Sequence, residues 1–157
     1  MSDRSVTHAT FVLERTYDAS PARVFAAFAN PEAKARWFIG PDNWDKSNHQ
    51  MDFRIGGHET VSGGPPGGSV HSYDACFQDI VADQRIVTTY EMQMDGARIS
   101  VSVATLEFQP DGSGTLLVMT EQGAYLDGID TAAERERGTS DLLANLGTYL
   151  QLQSARA

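Results

Sequence analysis

The chain has 157 residues, of which 41% are hydrophobic and 21% are charged, and its formal net charge is −9. This length suits a single domain that buries its own core without a disulfide or a structural metal. The acidity, and the presence of only two lysines, Lys34 and Lys46, disfavour nucleic-acid binding, which relies on clustered basic residues. No run approaches the ~18 apolar residues that cross a bilayer, so no membrane insertion is expected.

The N-terminus and the cysteine content bear on the cellular compartment. Residues 1–4 lack the apolar stretch that directs secretion. Cys76 is the only cysteine, so no internal disulfide can form. Its position in a predicted strand indicates a packing role rather than a nucleophile. Together these features predict a cytoplasmic protein.

The first third of the chain predicts one strand and two short helices. Residues 7–17 alternate with a period near two, as in a strand. Ser20 and Pro21 then form a helix start, because the serine oxygen can accept hydrogen bonds from free backbone N–H groups and proline needs no N–H there. Residues 30–38 repeat this signal with an Asn-Pro pair and end before the Gly-Pro break at residues 40–41.

Six further strands are predicted between Trp44 and Gln122, because this region lacks a long helical periodicity and contains frequent turn-forming residues. The candidate strands span residues 48–55, 58–62, 70–81, 85–94, 99–109 and 114–122. Short connections between successive strands favour antiparallel neighbours, so the sequence predicts a meander.

The last segment predicts an amphipathic helix. Thr131 and Glu134 have the spacing of a capping box. One apolar face follows, formed by Leu142, Leu143, Leu146, Tyr149 and Leu150. Gly138 is a candidate break between two helical pieces, since glycine weakens a helix. The resulting element order is β-α-α-β6-α in one domain that spans residues 1–157, with a core over about residues 7–153.

Several segments carry a family resemblance: RTYDASPARVF at residues 15–25, NPE at 30–32, WFIGP at 37–41, DFRIGG at 52–57, DGSGTL at 111–116 and the helix at 142–150. They resemble the START-like (SRPBCC, helix-grip) superfamily, in the branch of the activator of Hsp90 ATPase homologue 1-like proteins. One position departs from the pattern, because Thr139 follows Gly138 where many members have tryptophan. The resemblance implies an α+β helix-grip fold, in which a curved antiparallel sheet wraps around a long C-terminal helix and encloses a pocket.

Motifs for metal and phosphate binding are absent from the sequence. The four histidines, His8, His49, His58 and His71, are dispersed and no two have helical spacing, so no metal or other cofactor is expected. The segment GGPPGG at residues 63–68 lacks the lysine and the helix of a phosphate loop. A loop between strands is expected there, and a lid over a pocket is the alternative.

Glu121 is the best candidate for chemistry. It follows apolar residues at the end of the last predicted strand, and a carboxyl group among apolar side chains has a raised pKa that suits acid–base catalysis. Arg54, Tyr73 and Tyr90 are polar residues of other predicted strands, and each either faces inward or is an ordinary outward-facing residue. The candidate ligand-binding residues are Trp37, Phe38, Phe53, Arg54, Tyr73, Tyr90, Met92, Glu121, Leu143 and Leu146. Core packing is the alternative role for the apolar members.

Three functions stay open on this basis. The leading hypothesis is a binding protein for a small apolar, aromatic or lipid-like molecule, with a few polar anchors in the pocket. The second is an enzyme of the cyclase, aromatase or dehydratase type, with Glu121 or a tyrosine as general acid or base. The third is a co-chaperone-like interaction domain, which only the family name implies. A homodimer through an exposed strand edge also stays open.

Overall fold

The computed structural model describes residues 4–40 and 48–155, so Pro41 and Lys46 lie outside the described residues. Along these residues the elements are β1 (Val6–Tyr17), α1 (Pro21–Ala29), α2 (Pro31–Trp37), β2 (Gln50–Met51), β3 (His58–Gly63), β4 (His71–Val81), β5 (Arg85–Met94), β6 (Ala97–Asp111), β7 (Gly114–Leu126) and α3 (Ala132–Ala155). The predicted order β-α-α-β6-α is confirmed.

The seven strands within the described ranges form one antiparallel sheet, in the order β1-β7-β6-β5-β4-β3-β2. This is the predicted meander, with β1 added beside β7. The pairing shifts between Phe77 and Asp79 and again between Met92 and Gln93, and such irregularities increase the twist of a strand. The curved sheet grips the long helix α3, so the α+β helix-grip fold is confirmed.

Side chains just before α1 and α2 cap their N-termini, as predicted. Ser20 Oγ accepts a hydrogen bond from the backbone N–H of Arg23 at 3.3 Å. Asn30 Oδ1 accepts from the N–H groups of Glu32 at 2.9 Å and Ala33 at 3.3 Å. A proline occupies the start of each helix, where its missing N–H leaves no bond unmade. Both helices are therefore defined by local chemistry.

The second strand is much shorter than predicted. Residues 48–55 were expected to be a strand, but β2 contains only Gln50–Met51. The chain turns after β2, with a hydrogen bond of 2.8 Å from the N–H of Gly57 to the carbonyl oxygen of Arg54. Gly56 adopts a φ of +85°, which favours glycine. Arg54 is therefore a turn residue rather than a strand residue.

The last strand is longer than predicted, since β7 extends to Leu126. Glu121 accordingly lies in the middle of β7 and not at its end. Its neighbours across the sheet are Phe11 on β1 and Ala104 on β6. A central position between two strands fixes the backbone on both sides and holds the Glu121 side chain on the inner face.

Helix α3 is continuous through Gly138, so the expected break does not occur. Three contacts from the other side of the domain support the helix at and beyond this glycine. Arg15 donates to Ser140 Oγ at 2.7 Å, the Tyr17 hydroxyl donates to the carbonyl oxygen of Leu143 at 2.8 Å, and Arg23 donates to that of Leu150 at 3.3 Å. Tertiary packing therefore outweighs the low helix propensity of glycine.

The core lies between α1, the sheet and one face of α3. Phe25 and Phe28 of α1 contact the ring of Phe108 edge-to-face, with centroids 5.4 and 5.5 Å apart. Leu146 and Leu150 of α3 belong to the same buried cluster. No helix within residues 4–40 and 48–155 combines the length and the apolar character that crossing a membrane requires.

Candidate functional site

A cavity of about 1060 Å³ lies between the inner face of the sheet and the helices α2 and α3. Eight of the ten predicted ligand-binding residues line it: Trp37, Phe38, Phe53, Tyr73, Tyr90, Met92, Glu121 and Leu143. The alternation of side chains along the strands and the apolar face of α3 therefore place most of the predicted residues around one cavity.

Arg54 and Leu146 do not line this cavity. The Arg54 side chain is 67% exposed and pairs with Asp52 at 2.7 Å, in the turn that follows β2. Of the two orientations left open for Arg54, the structure has the outward one, because the predicted strand ends before this residue. Leu146 is fully buried, but it packs in the core with α1 rather than at the cavity wall.

Glu121 belongs to a buried polar network at one end of the cavity. Its carboxyl group is fully buried, and Oε2 accepts a hydrogen bond of 2.8 Å from the Tyr90 hydroxyl. The two residues lie on β7 and β5, with β6 between them. On β6, Ser102 pairs with Tyr90 and Ala104 pairs with Glu121. Because the side chains of Ser102 and Ala104 are small, the Tyr90 side chain has space to cross β6 and reach Glu121.

Arg135 of α3 completes this network. Its Nη1 donates to the Tyr90 hydroxyl at 2.9 Å and lies 3.6 Å from Glu121 Oε2. Its Nη2 donates to Ser100 Oγ and to Asp130 Oδ2, both at 2.7 Å. Because an arginine only donates, the Tyr90 hydroxyl must direct its own proton toward Glu121. Hydrogen-bond donation in the network therefore runs one way, from Arg135 to Tyr90 and from Tyr90 to Glu121.

Arg135 was not among the predicted site residues. A signal was present, because Arg135, Thr139, Leu142, Leu146 and Leu150 recur at intervals of three or four residues. An arginine that continues an apolar helical stripe points toward the interior, where it requires acceptors. Ser100 and Asp130 had no comparable signal, since their pairing with Arg135 depends on the fold.

Burial determines the acid–base character of this network. It raises the pKa of the Glu121 carboxyl group, although the Tyr90 hydrogen bond and the nearby Arg135 charge oppose the shift. Burial and the Glu121 charge likewise raise the pKa of Tyr90. Tyr90 thus stays protonated near neutral pH, whereas Glu121 takes up a proton more readily than an exposed glutamate.

A second buried ionic cluster lies where α2 meets β3. Lys34 Nζ is 2.6 Å from Glu59 Oε1, and His49 Nε2 is 2.7 Å from Glu59 Oε2. Lys34 and His49 line the cavity, and the Lys34 ammonium lies 4.5 Å from the centre of the Phe38 ring. Burial opposes ionisation of Glu59, but Lys34 and His49 outweigh it and hold its pKa below the usual range. Lys34 and Glu59 were not predicted as site residues.

Among the described residues, no group of three or more histidine, cysteine or acidic side chains is arranged to hold a metal ion. His58 is largely exposed and lies 3.5 Å from Asp74. Cys76 is a half-buried residue of β4 between the buried residues Ala75 and Phe77, which fits the predicted packing role. Gly63, at the start of the glycine-rich loop, lines the cavity, but a lid role for this loop stays a prediction.

Comparisons with known proteins agree on the family. The model of the family described as "Activator of Hsp90 ATPase homolog 1-like protein" matches residues 18–151. The solved structure of an uncharacterized protein from Rhizobium leguminosarum is 41% identical, with a TM-score of 0.91, and the match covers 96% of this chain and 99% of that chain. The Mll3558 protein from Rhizobium loti is 46% identical, with a TM-score of 0.85, and the match covers 92% and 99%.

More distant structures share the fold alone. An AHSA1-like protein from Aeromonas hydrophila is 18% identical, with a TM-score of 0.70, and the match covers 93% of this chain and 94% of that chain. No curated protein matches this chain. The match of the family model over most of the chain, together with the two rhizobial relatives, shows that the chain belongs to the activator of Hsp90 ATPase homologue 1-like family.

Proposed function

We propose that this protein binds a small, largely apolar molecule in the cavity between the sheet and α3. The observation that carries this proposal is the cavity itself, which has a volume of about 1060 Å³ and a buried polar network at one end. Small-molecule sites typically have ~300–1,000 Å³, mostly apolar walls and a few polar anchors.

The walls indicate the chemical character of the ligand. Tyr73 contacts Phe38 and Tyr90, with ring centroids 5.2 and 4.8 Å apart, so aromatic rings form a continuous surface that ends at Glu121. Met92 and Leu143 contribute flexible and aliphatic surface to the same cavity. Such walls favour an aromatic or lipid-like molecule, which gains free energy by leaving water.

Native mass spectrometry of protein purified from its own host, followed by thermal-shift measurements with apolar compounds, tests this proposal. We expect a co-purified small molecule, or an increase in melting temperature with some of the compounds. An Ala104→Leu variant should lose this response, because Ala104 lines the cavity and a larger side chain occupies its volume. Val103→Leu places the same leucine side chain on the opposite, exposed face of β6 and should keep the response. An empty protein without any thermal shift would overturn the proposal.

The second candidate function is an enzyme of the cyclase or dehydratase type. The observation that favours it is the raised pKa of the Glu121 carboxyl group, which lines a largely apolar cavity and suits general acid–base catalysis. In that case Glu121→Gln abolishes most of the turnover of a substrate while the cavity still binds it. A simple binding protein instead shows changed affinity in Glu121→Gln and no product from any bound compound.

A co-chaperone role, a homodimer and a cytoplasmic location stay predictions. The family name supports the first, and stimulation of a chaperone ATPase by the purified chain is its test. Sedimentation of the purified chain tests the homodimer. Fractionation of host cells, with detection of the chain in each fraction, tests the location.

A further inference from the structure

The two polar clusters of the cavity differ in their balance of acidic and basic groups. On α3, the single guanidinium group of Arg135 is shared by two carboxyl groups, at 3.6 Å from Glu121 and 2.7 Å from Asp130. Where α2 meets β3, two basic side chains, Lys34 and His49, share the one carboxylate of Glu59. The first cluster therefore contains more acidic than basic groups, and the second contains more basic than acidic groups.

Lys34 and His49 are the members of the second cluster that a ligand in the cavity can reach. Both residues line the cavity, and their side chains keep 7% and 8% of their exposure. Glu59 is completely buried and is not among the described residues that line the cavity. The two basic groups therefore belong to the cavity wall, whereas the carboxylate that holds them belongs to the interior of the protein.

The Lys34 ammonium group has hydrogen-bonding capacity that the described part of the chain does not use. An ammonium group has three donors. One of them binds Glu59 Oε1 at 2.6 Å, and no second acceptor atom binds Lys34 among the described residues. The rings of Phe38 and Phe28 lie 4.5 and 5.8 Å from Nζ, and both rings line the cavity. The ammonium group is thus a buried cation, beside the cavity, that lacks acceptors.

We propose that Lys34 and His49 bind the carboxylate of an apolar acid, such as an aromatic acid or a fatty acid, whose hydrophobic body occupies the cavity. This inference rests on the proposed binding function and specifies its ligand class. The carboxylate accepts hydrogen bonds from the Lys34 ammonium group, and His49 in its protonated form supplies a second positive charge. The cluster then contains two cations and two carboxylates, so its charges balance.

The remaining cavity wall suits the body of such an acid and fixes its orientation. Phe38, beside the Lys34 ammonium group, contacts Tyr73 with ring centroids 5.2 Å apart, and Tyr73 contacts Tyr90 at 4.8 Å. An apolar chain or ring system that is anchored at Lys34 therefore lies along aromatic side chains toward Glu121. The opposite orientation would bring the ligand carboxylate to the cluster that already has an excess of acidic groups, and like charges repel there.

Matched naphthalene probes test the inference on the full chain. Fluorescence titrations near neutral pH give the affinities of 2-naphthoate, the neutral 2-naphthamide and naphthalene. The acid and the amide have nearly the same size and differ in charge, so their ratio isolates the contribution of the carboxylate. We expect 2-naphthoate to bind about tenfold more tightly than 2-naphthamide, as one additional hydrogen bond to a charged group predicts. Naphthalene should bind less tightly than either compound.

Two variants locate the carboxylate at this cluster. His49→Gln keeps a neutral donor for Glu59 but removes a basic group, so the preference for naphthoate over the amide should fall to about twofold. The double variant Lys34→Met/Glu59→Leu removes an ion pair and should abolish the preference, with the naphthalene affinity unchanged. The control is His58→Gln, because the His58 side chain is 63% exposed and pairs with Asp74. That variant should keep the tenfold preference.

The outcomes separate this inference from the proposed function. If naphthalene binds but 2-naphthoate binds no more tightly than 2-naphthamide, the carboxylate site is refuted while the binding function stands. If the preference for naphthoate persists in both His49→Gln and the double variant, the carboxylate binds elsewhere in the protein, and the site is again refuted. If none of the probes binds, both the carboxylate site and an aromatic binding function are contradicted.

Discussion

The Tyr90 hydroxyl donates a hydrogen bond of 2.8 Å to Glu121 Oε2 across the intervening strand β6. Arg135 Nη1 donates to the same hydroxyl at 2.9 Å, so Tyr90 connects the cation of α3 to the carboxyl group of β7. This relationship joins the two elements that enclose the cavity. The stability of the domain and the state of its candidate site therefore depend on the same few atoms.

Tyr90→Phe should destabilise the protein by about 1–3 kcal/mol, because the ring is kept but Glu121 loses a donor and Arg135 loses an acceptor in a buried setting. Urea unfolding measures the change in the free energy of unfolding. Tyr149→Phe is the control at a half-buried position on α3, and we expect less than ~0.5 kcal/mol there. Equal effects of the two substitutions would contradict a special role of the Tyr90 hydroxyl.

Glu121→Gln should change the dependence of stability on pH. Burial raises the pKa of Glu121 above its ordinary value of 4.5, so the folded state holds this proton more tightly than the unfolded state does. The resulting stabilisation is complete below the ordinary pKa and is lost as the pH rises through the raised pKa of the folded state.

The free energy of unfolding of the Glu121→Gln variant, relative to the natural protein, should consequently increase from acidic to neutral pH. Urea unfolding at a series of pH values gives this difference directly. A difference that stays constant between the ordinary pKa and neutral pH would show that the Glu121 carboxyl group titrates normally.

Lys34→Met should destabilise the protein by about 3–5 kcal/mol, because it leaves the fully buried Glu59 carboxylate with His49 as its remaining ionic partner. Adding Glu59→Leu to this variant should restore much of the lost stability, since the uncompensated charge is then removed. The matched control is Arg54→Met, whose exposed pair with Asp52 contributes only ~0–1 kcal/mol. Chemical unfolding of the natural protein and the three variants tests these expectations, and a double variant that is less stable than Lys34→Met would refute them.

Gly138→Ala should stabilise the protein by about 1 kcal/mol, because α3 is continuous there and an added Cβ has no atom within 4 Å. Gly147→Ala provides a comparison within the same helix. Its Cβ would lie 3.4 Å from Tyr17 Cε1, at the lower limit of ordinary van der Waals contact, so a shift of the Tyr17 ring would offset part of the gain in helix propensity. In thermal unfolding, the Gly138→Ala variant should have a higher melting temperature than the Gly147→Ala variant. The reverse order would indicate that Gly138 is needed at the cavity.

The sequence alone determined the features that short-range chemistry controls. Ser20 and Asn30 begin helices because their side chains bond to N–H groups only a few residues away. Gly96 and Gly112 turn the chain with φ values of +84° and +61°, which glycine adopts without strain. The strand alternation then assigned inner and outer faces, and most of the predicted cavity residues followed from it.

The tertiary structure decided the features that join distant parts of the chain. The Tyr90–Glu121–Arg135 network depends on the register of three strands and on the docking of α3, and neither has a signal in any short segment. The continuity of α3 through Gly138 likewise comes from contacts with β1 and α1. Hydrogen bonds between residues 31 to 45 positions apart exist only once the sheet has closed around the helix, and for that reason the polar end of the cavity was decided by the fold.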